Sequence, residues 1–376
     1  MARSVEKTAK SRVDAKGLIR QDLLKLEAYQ AITLPGTMSD DASVSLSEAI
    51  KLDGNENPYG CSPRVQKALS ACQTYHLYPD TEQLELREAL SGYTGLDPRY
   101  LIAGAGSDEL IDLLLRLTLE PGDKVINCVP TFGMYKFSTE VCGGKVIEVP
   151  RTADYGIDVK GIIDAVDSKT KLVFVASPNN PSGNATSKSD ILRLLETGAL
   201  IVVDEAYFEF CGKTIIGKVP QYGNLVVLRT FSKWAGLAGL RVGYGAFPEK
   251  LAKPLMLIKP PYTPNAAANV AALESLRDVD YLRGTVKAIL KERERLFEEL
   301  KALPFIEPVP SEANFILCRV KKGDAKSIQR SLRNRGIFVR YFNTPRLKDF
   351  IRISVGKPEH TDRLLDSLSA VERENG

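Results

Sequence analysis

At 376 residues, 44% hydrophobic and 26% charged, the chain has room for two domains and reads as neither disordered nor a coiled coil. A net charge of +4 with no basic tract argues against nucleic acid as a partner, and no apolar run approaches the ~18 residues of a membrane span. Six scattered cysteines without a C-x-x-C pair suit reduced intracellular thiols, and two histidines speak against a histidine-rich metal site, so no metal is expected.

The first twenty residues are basic and lack an apolar signal segment. They read as a frayed arm or as the remnant of a transit peptide, with Glu6 and Asp14 weighing against the latter. From about residue 100 to 245, short β-branched runs alternate with amphipathic ones. "KVINCV" (124–129), "KVIEVP" (145–150), "KLVFVA" (171–176), "LIVVDEA" (200–206) and "LVVLRTF" (225–231) are apolar on both faces, as strands of a covered parallel sheet are. "SDELIDLLLRLTL" (107–119) reads as a helix between them. Beyond "PPYTPN" (260–265) the pattern becomes α+β, with a long charged helix over 286–303 and strands in "ANFILCRV" and "FIRISVG". The expected fold is α/β: an arm over 1–50 packing on the small domain, a large domain with a mostly parallel sheet flanked by helices over 51–262, and a small α+β domain over 263–376.

Ligands of open α/β sheets bind beyond the carboxyl ends of the strands, so the residues just past each strand are the candidates. After "YLIAG", the segment "AGSDEL" enters a helix whose first N–H groups at Ser107 and Asp108 can seat an anion. A capped helix with no ligand reads the same way, and a dinucleotide fingerprint lacks its third glycine at Glu109. Phe132 follows "KVINCV" and can stack on a flat ligand or belong to the core. Asn180, in "SPNNPSG", sits among turn formers yet can donate its amide. Asp204 ends four apolar residues, where an ionised carboxylate needs a cation or strong hydrogen bonds, and Tyr207 follows three residues on. A buried ion pair without chemistry is the other reading there. Thr230, Ser232, Lys233 and Arg241 close the series; a lysine beside a second cation in a low-dielectric site becomes a nucleophile.

Together these residues match the needs of one cofactor, pyridoxal 5′-phosphate: a phosphate seat, a stacking ring, donors for a phenolic oxygen, a carboxylate for the ring nitrogen and a reactive lysine. The chain resembles the fold-type I, class I/II pyridoxal-phosphate aminotransferases, and among them the histidinol-phosphate aminotransferases. The resemblance runs from about Leu26 to His360 and rests on "KLDGNENPYG", "SPNNPSG", "DEAYFEF", "RTFSKWAGLAGLRVGYGAF" and "IRISVGKPEH". It implies Lys233 as the Schiff-base lysine, Asp204 on the pyridine nitrogen, and Asn180 and Tyr207 on the ring oxygen. Phe132 would stack on the ring, where many relatives carry Tyr or Trp. Ser107, Asp108, Thr230, Ser232 and Arg241 would hold the phosphate. Tyr78, in "HLYPD", would reach the cofactor of a second subunit, which implies a homodimer. Arg352 would clamp a carboxylate, with Arg340, Tyr29 and Asn57 as further substrate contacts.

The activity implied is ping-pong transfer of an amino group from L-histidinol phosphate to 2-oxoglutarate, giving imidazole acetol phosphate and L-glutamate, with Lys233 as general base and acid. An aromatic amino acid aminotransferase, a threonine-phosphate decarboxylase and a non-catalytic binding protein on the same fold are the alternatives. A soluble intracellular location, cytoplasm or plastid stroma, goes with this activity.

Overall fold

The computed structural model describes residues 15–29 and 48–375. The chain order begins β1 (Ile50–Leu52), α1 (Pro63–Ala71), α2 (Leu84–Thr94), β2 (Leu101–Gly104), α3 (Gly106–Thr118), β3 (Lys124–Val129), α4 (Met134–Val141) and β4 (Lys145–Pro150). It continues α5 (Val159–Ala165), β5 (Thr170–Ala176), α6 (Lys188–Leu195), β6 (Leu200–Asp204), α7 (Phe208–Cys211), β7 (Leu225–Thr230), β8 (Gly243–Ala246) and α8 (Glu249–Ile258). The rest is α9 (Ala266–Arg277), α10 (Val279–Ala302), β9 (Ile306–Pro308), β10 (Phe315–Val320), α11 (Ala325–Asn334), β11 (Ile337–Tyr341), β12 (Phe350–Ser354) and α12 (Pro358–Asn375).

The larger sheet has the order β2-β8-β7-β6-β5-β3-β4, with β8 antiparallel to β2 and β7 and the other pairs parallel. Its central runs are apolar throughout because alternate residues face two cores. Val173, Val175, Ile201, Val203, Leu225 and Val227 go to one face. Leu172, Phe174, Val202, Val226 and Leu228 go to the other, where α3 adds Leu110, Ile111, Leu113 and Leu114. The ends of β2, β3, β5, β6 and β7 therefore lie along one edge of the sheet. β8 was not expected as a strand, because Gly243 and Gly245 carry no β-branched pattern. A Cβ at Gly243 would stand 2.6 Å from the Ser107 nitrogen, so the close approach of α3 demands glycine there.

The smaller sheet has the order β1-β11-β12-β10-β9, parallel between β1 and β11 and antiparallel elsewhere. Two boundaries expected from sequence differ from this arrangement. β1 straddles the division at 50/51 and belongs to the C-terminal sheet, with Leu52 opposite Val339. α9, assigned by sequence to the small domain, packs on α1 and α2 of the larger unit. Its Ala268, Ala271, Ala272 and Ser275 form a buried stripe of small side chains that lets the helices approach closely, and Arg277 pairs with Glu85 at 2.8 Å. In the described part of the arm, Arg20 donates to the Val141 carbonyl at the end of α4 (3.2 Å), and the Tyr29 ring lies edge-on to Phe132 (6.1 Å) while also feeling the charges of Arg340 and Arg352 from the smaller sheet. The open carbonyls of a helix C-terminus attract a guanidinium, which accounts for that placement. The rest of the expected arm, 1–14 and 30–47, falls outside the described residues. Among the described residues no helix is long and apolar enough to cross a membrane.

Candidate active site

An anion seat forms where β2 turns into α3. Gly106 takes φ +79°, and a Cβ there would lie 2.6 Å from an Arg241 guanidinium nitrogen. Only glycine lets the backbone pass beneath that side chain. Arg241 reaches Asp108 at 2.9 Å and Ser232 Oγ at 3.4 Å, while Thr230 Oγ1 donates to Ser232 Oγ at 2.9 Å. The α3 N-terminus, two hydroxyls and a guanidinium thus converge, as a phosphate requires. The Asp108 side chain holds Arg241, which leaves its backbone N–H to face an anion.

At the end of β6, Asp204 is buried and accepts hydrogen bonds from Tyr135 Oη (2.6 Å) and the Ala206 nitrogen (3.0 Å). Among the described residues no Lys or Arg pairs with it. Burial therefore raises its carboxyl to about 6, against the pull of those two donors. The Tyr207 hydroxyl, pushed up to about 12 by burial, accepts from Asn55 Nδ2 at 2.9 Å and keeps its own proton to donate. Asn180 uses Oδ1 to accept from Arg352 at 2.6 Å, which turns its Nδ2 the other way as a donor.

Lys233 is half-buried just past β7, and its Nζ donates to the Gly54 carbonyl at 3.0 Å. Desolvation first, then the Arg352 charge, lowers its ammonium to about 8; Arg241 adds to the effect while Glu56 and Asp108 oppose it. Arg352 is itself buried and lowered to about 10 by desolvation. Its terminal nitrogens bond Asn180 and the Asp53 carbonyl, and its Nε has no partner among the described residues. Arg340 stands directly opposite Arg352 across β11 and β12, so two cations share one face of the sheet. The Phe342 ring lies 5.6 Å from the Arg340 guanidinium and 5.7 Å from that of Arg352, and Phe315 backs Arg352 at 5.2 Å. A π face shared by both cations eases their repulsion.

Tyr29 joins this end, where the Arg340 and Arg352 charges partly offset the upward effect of burial on its hydroxyl. Phe132 lies between Tyr29 and Tyr135, edge-on to both. Two expected residues stand apart. Asn57 spends its amide on the Trp234 carbonyl (2.8 Å), Thr285 Oγ1 (3.4 Å) and the Tyr59 nitrogen (2.9 Å), so it fastens the loop beneath Lys233 and offers nothing to a substrate. Tyr78 is exposed and stacks on Tyr262 at 4.1 Å. Sequence reasoning missed Asn55, Tyr135 and Phe342. Asn55, two residues before Asn57, has φ +53°, and asparagine tolerates that conformation better than most residues. Among the described residues no cluster of three or more His, Cys, Asp or Glu could hold a metal.

The model of the family "Aminotransferase class I and II" matches residues 47–368. The chain belongs to this family. It is 51% identical over 355 residues to a histidinol-phosphate aminotransferase of Dehalococcoides mccartyi, covering 94% of this chain and 98% of the relative. A chloroplastic histidinol-phosphate aminotransferase of Nicotiana tabacum is 46% identical over 366 residues, with 96% and 89% covered. Among solved structures, the histidinol-phosphate aminotransferase of Sinorhizobium meliloti in complex with pyridoxal-5′-phosphate superposes with a TM-score of 0.80 at 28% identity, covering 87% of this chain and 92% of that one.

Class I and II aminotransferases use pyridoxal phosphate, and the residues present fit that group. Asp204 is a buried carboxylate lacking the cation that a protonated pyridine nitrogen provides. The glycine-floored seat under Arg241 matches a phosphate, and the amine with a lowered pKa matches an aldehyde.

Proposed function

We propose that this aminotransferase takes L-histidinol phosphate as amino donor and 2-oxoglutarate as acceptor, yielding imidazole acetol phosphate and L-glutamate in histidine biosynthesis. One observation carries the choice of substrates: Arg340 and Arg352 face each other across two antiparallel strands at the Lys233 end of the site. Histidinol phosphate brings a phosphate and no carboxylate, whereas glutamate brings two carboxylates. A pair of guanidiniums can bind both in turn, the phosphate in one half-reaction and a carboxylate in the other. The names of relatives about half identical over nearly the whole chain support the same reading.

When bound, pyridoxal phosphate supplies the aldehyde that receives the amino group and a ring that accepts electrons from the substrate Cα. Ser107, Asp108, Thr230, Ser232 and Arg241 would anchor the phosphate, and Phe132 would lie against the ring. Asp204 would keep the ring nitrogen protonated, while the Tyr207 hydroxyl and Asn180 Nδ2 would donate to the ring oxygen. Lys233 would hold the cofactor aldehyde. Its free Nζ would take the proton from the substrate Cα and return one on the other side of the transfer, and an amine lowered to about 8 by burial and the Arg352 charge suits both directions at neutral pH. Arg352, Arg340 and Tyr29 line the pocket that receives the incoming anion, with Arg352 held in place by Asn180 and the Asp53 carbonyl.

The enzyme works on this reading as a homodimer, with Tyr78 reaching the phosphate of the second subunit. Support comes from the exposed Tyr78–Tyr262 stack, and Leu77, Leu257 and Ile258, near these two tyrosines in sequence, are exposed apolar side chains of the kind subunits cover. A place inside the cell, in cytoplasm or plastid stroma, goes with this reading, and the chloroplastic plant relative supports it. The test is a donor screen with 2-oxoglutarate. Histidinol phosphate is expected to give the highest kcat/KM, and a higher value for phenylalanine or tyrosine overturns the substrate assignment.

A further inference from the structure

Asp204 can keep a ring nitrogen protonated only if it stays ionised itself. In a proton shared between a carboxylate and a pyridine, the more basic partner keeps it. Burial makes the carboxylate more basic, and the groups that face it from other segments do not help. Asp108, from the start of α3, and Glu205, next in the chain, both push its acidity down. The counterweights are two hydrogen-bond donors, the Ala206 nitrogen and Tyr135 Oη. The first is backbone and invariant to sequence. The second is a side chain placed for the task.

Tyr135 is 1% exposed, lies parallel to Phe174 with centroids 4.6 Å apart, and sits edge-on to Phe132 at 5.5 Å. These contacts leave its hydroxyl one direction to point. Its own acidity is suppressed by burial and by Asp204, so it remains a donor across the working pH range; Tyr207 acts in the same sense and Arg151 against it. Phe132 and Tyr135 stand three residues apart where the chain enters α4, and the bend between them brings both the ring platform and the partner of Asp204 to the site.

We propose that Tyr135 is a positioning residue for the reaction: its hydroxyl keeps Asp204 ionised and oriented, so that the proton shared with the pyridine stays on the ring nitrogen. This rests on the reading of Asp204 as the partner of that nitrogen.

Tyr135→Phe keeps the ring packing and deletes one O–H donor. In the apoenzyme, difference infrared spectroscopy follows the protonated carboxyl band of Asp204, identified by its loss in Asp204→Asn. The midpoint in Tyr135→Phe is expected to rise by about one to two pH units, the size of one hydrogen bond to a charged acceptor. An unchanged midpoint overturns the proposal. In the holoenzyme, with 15N at the ring nitrogen, Tyr135→Phe should move the resonance from the pyridinium position towards neutral pyridine. A raised midpoint with an unmoved resonance also overturns it. If Asp204→Asn leaves the resonance unmoved as well, the reading of Asp204 is what has failed. A purely structural role for Tyr135 lowers the melting temperature and moves neither titration, and that outcome counts against the proposal.

Discussion

Asp204 and Glu205 are consecutive, both buried, and both acidic, yet they live in opposite circumstances. Glu205 accepts two hydrogen bonds from Arg229 at 2.8 and 3.0 Å, one from Thr214 at 2.7 Å and one from the Ile215 nitrogen at 2.8 Å. Arg229 in turn packs over the Phe208 ring at 3.6 Å and reaches the Tyr244 hydroxyl. Every charge in that cluster has its answer inside the protein, and the cluster ties β6 to β7. Asp204 points to the other side of the strand and, among the described residues, meets two donors and no cation. Satisfied buried charge builds the fold; unsatisfied buried charge waits for a ligand. Lys233 and Arg352 fall in the second class, each lowered by burial and by a neighbouring cation.

The comparison is open to attack from both sides. Asp204→Asn should cut turnover on the order of 10³-fold, about 4 kcal/mol of barrier, while making the apoenzyme more stable above pH 6. The sign follows from the raised folded-state pKa, about 6 against 3.8 unfolded. The preference of the fold for the protonated acid is complete below pH 4 and lost as pH rises through 6. Above that the native state carries an unanswered charge, and its removal should return on the order of 1–3 kcal/mol in chemical denaturation. Glu205→Gln should do the reverse, losing roughly 3–5 kcal/mol by stranding Arg229 while the folded fraction keeps its turnover. If both variants lose stability alike, the division between the two acids is wrong.

Smaller effects sharpen the picture at the substrate end. Arg340→Ala should raise KM for histidinol phosphate roughly 10–100-fold, the loss of a charged hydrogen bond, and that for glutamate clearly less; equal losses would contradict the shared use of the two arginines. Capture of pyridoxal phosphate by the apoenzyme needs neutral Lys233. Its rate should climb with pH and level off above about 8, whereas a lysine in water would still be climbing at pH 10. Mixing Lys233→Ala with Tyr78→Phe protomers should recover activity absent from the first and reduced in the second, since one site of the mixed dimer is then complete. No recovery would remove Tyr78 from the neighbouring site.

Much of this was legible in the chain, for physical reasons that vary by element. β5, β6 and β7 were readable because both faces are buried and each holds a run of four or more consecutive apolar residues. Lys233, Asp204 and Arg241 stood out because a charge ending such a run needs a reason. β1 and β9 were missed because three residues hold too little pattern, and β8 because its glycines answer to α3 and not to strand propensity. β11 hides its strand character behind Arg340. Asn57 misled because "GNENP" offers two asparagines, and the long-range bonds that give Asn55 to Tyr207 and Asn57 to Trp234 have no local signature. Tyr135 reads as core for the same reason.

The central claim is that an amine at the end of β7 holds the cofactor covalently. Borohydride reduction of the holoenzyme followed by peptide mapping tests it most directly. The account predicts loss of the near-visible absorbance and a cofactor-bearing peptide that contains Lys233. A label on another lysine, or turnover that survives Lys233→Ala, would contradict it.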